Sequence, residues 1–263
     1  MARALFLSPR SIGEATLTAS SEAFPVGNLK LAAQPSKVWR SATSNPWVVI
    51  DMGAAVAVDT LAMVGVTFGG GDFWQLRGAS SQANLTAAPG YDSTSVSVWP
   101  VTGKPADAGW LQHTCLLRLP SVQTFRWWRI DFAGTLVQAG VLLLDKAITP
   151  SVNFSRGWEL GDEPADRVVP TPYGRTLVEP RDNPRVKSLP WNLLTEADAM
   201  AAGGMGDLLR ERGTAKPFLL CLDPEATTYL HQYTIYGLRV GQRRLASPFR
   251  RRHSTTLQIR ELL

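Results

Sequence analysis

Apolar and polar residues alternate in short runs along the first 145 residues. Alternation with a period of two puts successive side chains on opposite faces of a strand. The runs therefore predict strands at Trp47–Asp51, Thr60–Phe68, Phe73–Arg77, Ser95–Trp99, Thr114–Leu119, Phe125–Phe132 and Gly140–Asp145. Turn signals punctuate them: Asp51, Met52 and Gly53 close the first, and Gly69, Gly70, Gly71 and Asp72 close the second. No long amphipathic helix is predicted in this half. Many short strands joined by turns predict an antiparallel β-sandwich. Trp127 and Trp128 are adjacent in the strongest strand. They must face opposite ways, so at least one of them belongs to the core.

The pattern changes after residue 147. Pro150, Pro164, Pro170, Pro172, Pro180, Pro184 and Pro190 recur through the next forty residues or so. Proline lacks an amide hydrogen, so this density disfavours helices and central strands. The expectation is a strand around Ser151–Leu160, then a Pro-rich loop or arm at about 161–190. A loop of that length is often an interface or functional element. A helical insertion follows at about 195–212. Thr195 is placed to cap it, with Asp198 in the first turn. Met200, Met205, Leu208 and Leu209 form its apolar stripe, Gly203, Gly204 and Gly206 divide it into two short helices, and Gly213 stops it. Strands are predicted again at Pro217–Leu222, Tyr229–Tyr236 and Ser254–Leu262. The fold class is mainly β. A sandwich at 1–147 precedes a smaller β-domain at 148–263.

Composition narrows the class without changing it. Hydrophobic residues make up 44% of the 263 and charged residues 19%, which excludes wholesale disorder. No apolar run reaches the roughly 20 residues of a membrane helix. The apolar run at Ala4–Leu7 is too short for a secretory signal. The net charge is +5, and it is uneven: residues 1–145 hold 10 basic and 9 acidic side chains, residues 146–263 hold 17 and 13. Arg239, Arg243, Arg244, Arg250, Arg251 and Arg252 form a basic stripe with no acidic residue among them. Such a stripe fits a subunit interface or a channel lumen; contact with DNA is not expected.

The sequence contains little that resembles catalysis. His113, His231 and His253 stand in no metal-ligand spacing, and neither a nucleophile elbow nor a phosphate-binding loop is present. Gly69–Gly71 reads as a hairpin tip. Asp162, Glu163 and Asp166 lack the alternate spacing of a calcium loop and read as a solvated acidic loop. Cys115 and Cys221 lie in apolar strands and read as buried, inert thiols. The expectation is no catalytic residue, no cofactor and no metal. The nine tryptophans offer a different chemistry, because indole and phenyl faces stack on sugar rings. Phe73, Trp74, Trp99 and Trp110, near loops, are the candidate glycan-facing aromatics.

Several short motifs occur in a telling order. Ala19–Leu29 opens with Ala-Ser-Ser, then come Lys37–Ser41 with its Trp-Arg-Ser, Trp47–Gly53 closed by Asp and Gly, and Phe125–Ile130. Over residues 10–145 this order resembles discoidin-type domains, also called coagulation-factor C-type, with a galactose-binding-like jelly roll. The chain departs from them in lacking a cysteine pair across the domain ends and in placing two Trp between Arg126 and Arg129. The chain as a whole, through Gly213–Pro224 and Leu257–Leu263, also resembles tail proteins of long-tailed bacteriophages. That resemblance implies a structural protein of the tail tip, forming a three- or six-fold ring of its own copies. The ring would join the tail tube to hub and receptor-binding proteins in the virion, with host surface glycans as a further ligand. Two other readings stand beside it. One is a carbohydrate-binding module of a cell-surface or secreted protein. The other is a glycosidase, which needs two carboxylates facing across a cleft; no such pair is identified.

Overall fold

The computed structural model describes residues 3–99, 113–134, 136–170, 173 and 175–263. Its first half contains β1 (Leu5–Leu7), α1 (Arg10–Glu14), β2 (Thr16–Ala19), β3 (Trp39–Arg40), β4 (Trp47–Val64), β5 (Phe73–Ala79), α2 (Asn84–Ala87), β6 (Tyr91–Asp92), β7 (Val96–Ser97), β8 (Thr114–Ala133), β9 (Gln138–Ala139) and β10 (Val141–Asp145). The second contains β11 (Glu159–Asp162), β12 (Arg167–Pro170), β13 (Thr176–Glu179), β14 (Arg185–Thr195), α3 (Glu196–Met200), α4 (Met205–Arg212), β15 (Phe218–Cys221), α5 (Leu230–Tyr233), β16 (Thr234–Val240), β17 (Ala246–Phe249) and β18 (Arg252–Glu261). The fold is mainly β, as the alternation predicts.

A long antiparallel ribbon of β4 and β8 organises the sandwich. The beginning of β4 pairs with β2 and with the end of β8; the end of β4 pairs with β10 and with the beginning of β8. The register shifts between Asp51 and Val56 and again between Val58 and Thr60. At these two places the ladder is interrupted and the ribbon is free to bend. Two predicted pairs of strands are corrected here: Trp47–Asp51 and Thr60–Phe68 share β4, and Thr114–Leu119 and Phe125–Phe132 share β8. Gly53, at φ 74°, makes a bulge rather than a chain reversal, and the ladder resumes at Val56 opposite Phe125. The Ser95–Trp99 strand shrinks to β7. Trp39, Trp74, Trp128, Ile50, Leu61 and Leu142 fill the space between the layers. Trp128 is fully buried, while Trp127 lies on the outer face and is half-buried.

The second sheet runs β1-β15-β16-β18-β14-β11, with β17 added on β18. Its edge strand β1 comes from the chain's beginning, with Leu5 opposite Cys221 and Leu7 opposite Leu219. The expected division near residue 147 is thus crossed by a strand. One face of this sheet, with Phe6, Leu189, Trp191 and Phe218, packs with Leu208 and Leu209 of α4. The other face, with Leu5, Leu7, Leu219 and Tyr236, packs on Ala62, Val64, Val141 and Leu143 from the outside of the sandwich. The two halves therefore share a continuous apolar layer.

The helical insertion forms two helices, α3 and α4. Thr195 caps α3, its Oγ1 accepting from the Asp198 amide at 3.2 Å. A Cβ on Gly206 would meet the Ala199 carbonyl oxygen at 1.9 Å, so only glycine lets α4 pack this closely on α3. Three other expectations are corrected. Ser151–Leu160 is mostly irregular and only β11 is extended. Tyr229–Tyr236 begins with the helical turn α5, in which Tyr229 and Tyr233 stack edge-on at 6.4 Å, and becomes strand only at Thr234. The Pro-rich arm is not one loop: β12 and β13 form a separate hairpin, and Arg185 onwards is the central strand β14. Pro190 is tolerated there, opposite Thr256, just before a register shift between Trp191 and Leu194.

Candidate functional site

The loops at one end of the sandwich interlock. The Ala23 and Phe24 amides donate to the Arg40 carbonyl at 2.7 and 3.1 Å, and the Ser41 amide donates to the Val137 carbonyl at 2.9 Å. The Gly134 amide donates to Asn45 Oδ1 at 2.9 Å. Next to it Ala133 pairs with Phe73. Asp72 holds the loop before β5, its carboxylate accepting from the Gly69 amide at 2.7 Å. Gly134 (φ 151°) lets this carboxylate approach, since a Cβ there would lie 2.1 Å from Asp72 Oδ1. On this rim two phenyl rings reach solvent, Phe24 at 48% exposure and Phe73 at 43%. Exposed Arg40, Thr43 and Asn45 lie in the same loops, and Thr43 Oγ1 is 3.0 Å from Ser21 Oγ.

The structure separates the four predicted glycan-facing aromatics. Phe73 is on the rim. Trp74 is 1% exposed and Trp99 4%, so neither presents a face to a ligand. The strand period sends Trp74 into the core, where Phe68 meets it edge-on at 6.3 Å. Trp99 folds inward because its Nε1 donates to the Gly69 carbonyl at 2.8 Å. Trp110 lies outside the described residues. Phe24 was missed; its signal is a single aromatic in an otherwise small and polar loop. Trp47 and Trp127 lie in strands, as the alternation predicts, and look outward from the sheet. Guanidinium groups cover them: Arg129 lies 4.9 Å from the Trp47 ring and Arg126 5.2 Å from the Trp127 ring. Arg126 also forks onto Asp51 at 2.7 and 2.8 Å, and this hydrogen bonding holds the Asp51 carboxyl below its usual range.

The basic stripe divides in the same way. Arg239 Nε donates to the Gly213 carbonyl at 3.2 Å, and Arg243 to the Ala199 carbonyl at 3.0 Å. The first holds the residue that ends α4 and the second holds α3. Arg252 reaches the Leu193 carbonyl at 3.3 Å. Arg244, Arg250 and Arg251 stand in solvent, the last two at the turn between β17 and β18.

Several other charged groups are engaged within the fold. Arg185 Nε donates to Glu261 Oε2 at 2.9 Å in a nearly buried ion pair. Lys187 is fully buried beside it, and its Nζ donates to the Gln232 carbonyl at 2.6 Å. Burial brings its pKa down to about 7. Burial likewise brings His231 down to about 3, with the ring of His113 at 5.2 Å. Cys115 and Cys221 are buried, and desolvation raises both thiols, Cys221 to about 11. A cleft of about 540 Å³ between the halves is lined by Asp145, Asp198, Asp207 and Glu211 together with Arg10 and Lys146. Its carboxylates are engaged internally: Ser11 donates to Asp145 at 2.8 Å, and Arg10 pairs with Glu211. No group of three or more His, Cys, Asp or Glu suited to a metal occurs among the described residues. Of the predicted acidic loop, Glu163 pairs with Arg260 at 2.6 Å and Asp166 accepts from the Arg181 amide at 2.8 Å.

No protein-family model matches the chain, and no curated protein matches it by sequence. Solved structures similar in shape include a fucolectin from striped bass (Morone saxatilis) serum, 10% identical, covering 72% of this chain and 71% of its own, with a TM-score of 0.40. The lectin domain of lectinolysin complexed with Lewis B antigen is 10% identical over 53% of this chain and 99% of its own, TM-score 0.36. The family 32 carbohydrate-binding module of Clostridium perfringens NanJ, in complex with galactose, is 13% identical over 54% and 98%, TM-score 0.35. These low scores leave the fold assignment resting on the strand order itself.

Proposed function

We propose that the chain is a non-catalytic glycan-binding protein that presents one loop end of its sandwich to a sugar. The observation that supports this is the rim itself: exposed Phe24 and Phe73 stand among the hydroxyl, amide and guanidinium groups of Thr43, Asn45 and Arg40. A sugar has apolar C–H faces that pack on aromatic rings and hydroxyls that need polar partners, so a few convergent polar groups around an aromatic surface suit it. The test is a glycan array probed with the full chain, followed by titration of the best sugar into wild type and a Phe24→Ala/Phe73→Ala variant. Affinity is expected to fall by about ten-fold or more in the variant, the scale of one lost stacking contact. Equal binding by the variant, or silence across the array, sinks the reading.

A second reading, a ring-forming subunit of a phage tail tip, is favoured by one observation. The hairpin of β12 and β13 stands away from both cores with every described residue exposed. A structural subunit has a use for such an arm, and an isolated binding module has none. Electron microscopy of the purified chain tests it, with closed rings expected; open chains or single particles remove the ring.

A further inference from the structure

The ladder of β18 in the second sheet has a gap. β16 pairs with it as far as Val240, opposite Gln258, and β17 pairs with it from Ala246, opposite Ser254. The chain between them, residues 241–245, leaves the sheet at Gly241, whose φ of 73° turns it outward. Thr255, Thr256 and Leu257 therefore have a strand partner on the β14 side only. Backbone N–H and C=O groups point alternately to the two sides of a strand, so part of this stretch offers its own to the gap.

The gap opens into a groove of about 460 Å³. That lies within the roughly 300–1,000 Å³ of small-molecule clefts. Ser254, Thr256 and Gln258 are alternate residues of β18 and line it together, while Leu257 and Ile259 turn the other way into the core with α4. Asn192 of β14, with Gln242 and Arg244 of the outward loop, completes the polar lining. Among the described residues, no hydrogen bond or ion pair within the fold engages these six side chains. Val240 and Ala246 add a small apolar wall, and none of the described lining residues is a carboxylate. The loop is fixed from two sides. Thr255 Oγ1 donates to the Arg244 carbonyl at 2.7 Å, and the Arg243 guanidinium reaches back to the Ala199 carbonyl at 3.0 Å. A backbone already held in place lowers the ordering cost of binding.

The lining selects a ligand. Hydroxyl and amide side chains both donate and accept, which matches the hydroxyls of a sugar. A guanidinium fork matches an oxyanion, and no carboxylate of the groove competes for it. A neutral sugar leaves Arg244 unused, and a bare anion leaves the neutral groups unused. We propose that this groove binds a sugar bearing one oxyanion, a carboxylate or a phosphate. Arg244 takes the oxyanion, and Asn192, Gln242, Thr256 and Gln258 take the ring hydroxyls. The groove is separate from the aromatic rim of the sandwich and does not rest on glycan binding there.

The test is a ligand-observed NMR titration of the full chain with glucuronate, galacturonate and glucose 6-phosphate, beside glucose and inorganic phosphate. At least one acidic sugar is expected to bind ten-fold or more tightly than glucose and than inorganic phosphate. A uronate in that place assigns the oxyanion as carboxylate, and glucose 6-phosphate assigns it as phosphate. Arg244→Ala is expected to weaken that binding by about ten-fold or more, the scale of one charge-assisted hydrogen bond. Asn192→Ala/Gln258→Ala is expected to weaken it as well. Both variants replace exposed side chains, so their thermal unfolding curves are expected to match wild type. Phe24→Ala/Phe73→Ala is expected to leave it unchanged, which separates the groove from the rim. Silence from all three acidic sugars overturns the proposal. So does equal binding of glucose or inorganic phosphate, or binding that survives Arg244→Ala and is lost in the rim variant.

Discussion

Lys187 shows how one residue writes pH into stability. Its ammonium is buried on the α4 side of the second sheet, and its pKa falls from 10.5 to about 7. Between those values the unfolded chain binds a proton that the folded chain does not. Folding stability contributed by this group therefore rises as pH climbs through that window, and is lost as pH falls towards 7. Lys187→Met is expected to flatten a slope of roughly 1 kcal/mol per pH unit between pH 7 and 10. Urea denaturation at several pH values reads this directly, and an unchanged slope would contradict it. His231 acts in the same sense at lower pH, because its folded pKa of about 3 lies below the ordinary 6.5. Stability is lost as pH falls from 6.5 towards 3. Neither residue was singled out for this by sequence; a Lys or His on an alternating strand reads as solvent-facing until its neighbours are known.

At the scale of elements, the turn at Gly140 decides how β9 joins β10. Its amide donates to the Val64 carbonyl at 2.8 Å, and a Cβ there would lie 2.0 Å from the Pro35 carbonyl oxygen. Backbone cannot yield like a flexible side chain. Gly140→Ala is expected to cost about 1–3 kcal/mol, the usual range for overpacking, measured as a shift in the denaturation midpoint. A midpoint within error of wild type would mean the loop of Pro35 moves freely. Elements also show what alternation does and does not specify. It located the strand segments of β4, β5, β8, β10, β15 and β18, because inward residues such as Ile50, Leu76, Ile130 and Leu142 repeat at a period of two. It broke β4 and β8 in two, because a bulge and a turn use the same glycine and polar residues. It read α5 as strand, because four residues are too few for a helical period to show.

At the scale of the molecule, the halves are not beads on a string. β1 leaves the sandwich side of the chain to edge the second sheet, and Leu143 and Val64 meet Leu5, Leu219 and Tyr236 in a shared layer. The Tyr236 hydroxyl crosses the junction and donates to the Ala32 carbonyl at 2.7 Å. The halves are therefore expected to unfold together. Leu143→Ala should cost about 2–5 kcal/mol and lower hydrogen-exchange protection in β15 and β16 as well as in β4. Loss of protection confined to the sandwich would show two independent units.

The mainly β class, the approximate strands, the cap at Thr195 and the burial of both thiols can be read from the sequence alone. These follow from local rules: period, turn chemistry and the placement of apolar residues. Which aromatics face water depends on the packed fold. Trp74 and Trp99 look as available as Phe24 and Phe73 in sequence, but a strand's parity and one hydrogen bond to Gly69 turn them inward. The fold also decided how the arginines are disposed, since Arg239 and Arg243 bind carbonyls far away in the chain while Arg250 and Arg251 are exposed. Strand parity can be read over a few residues. The partners of a long side chain depend on which distant backbone the fold brings within reach, and that is a property of the packed molecule.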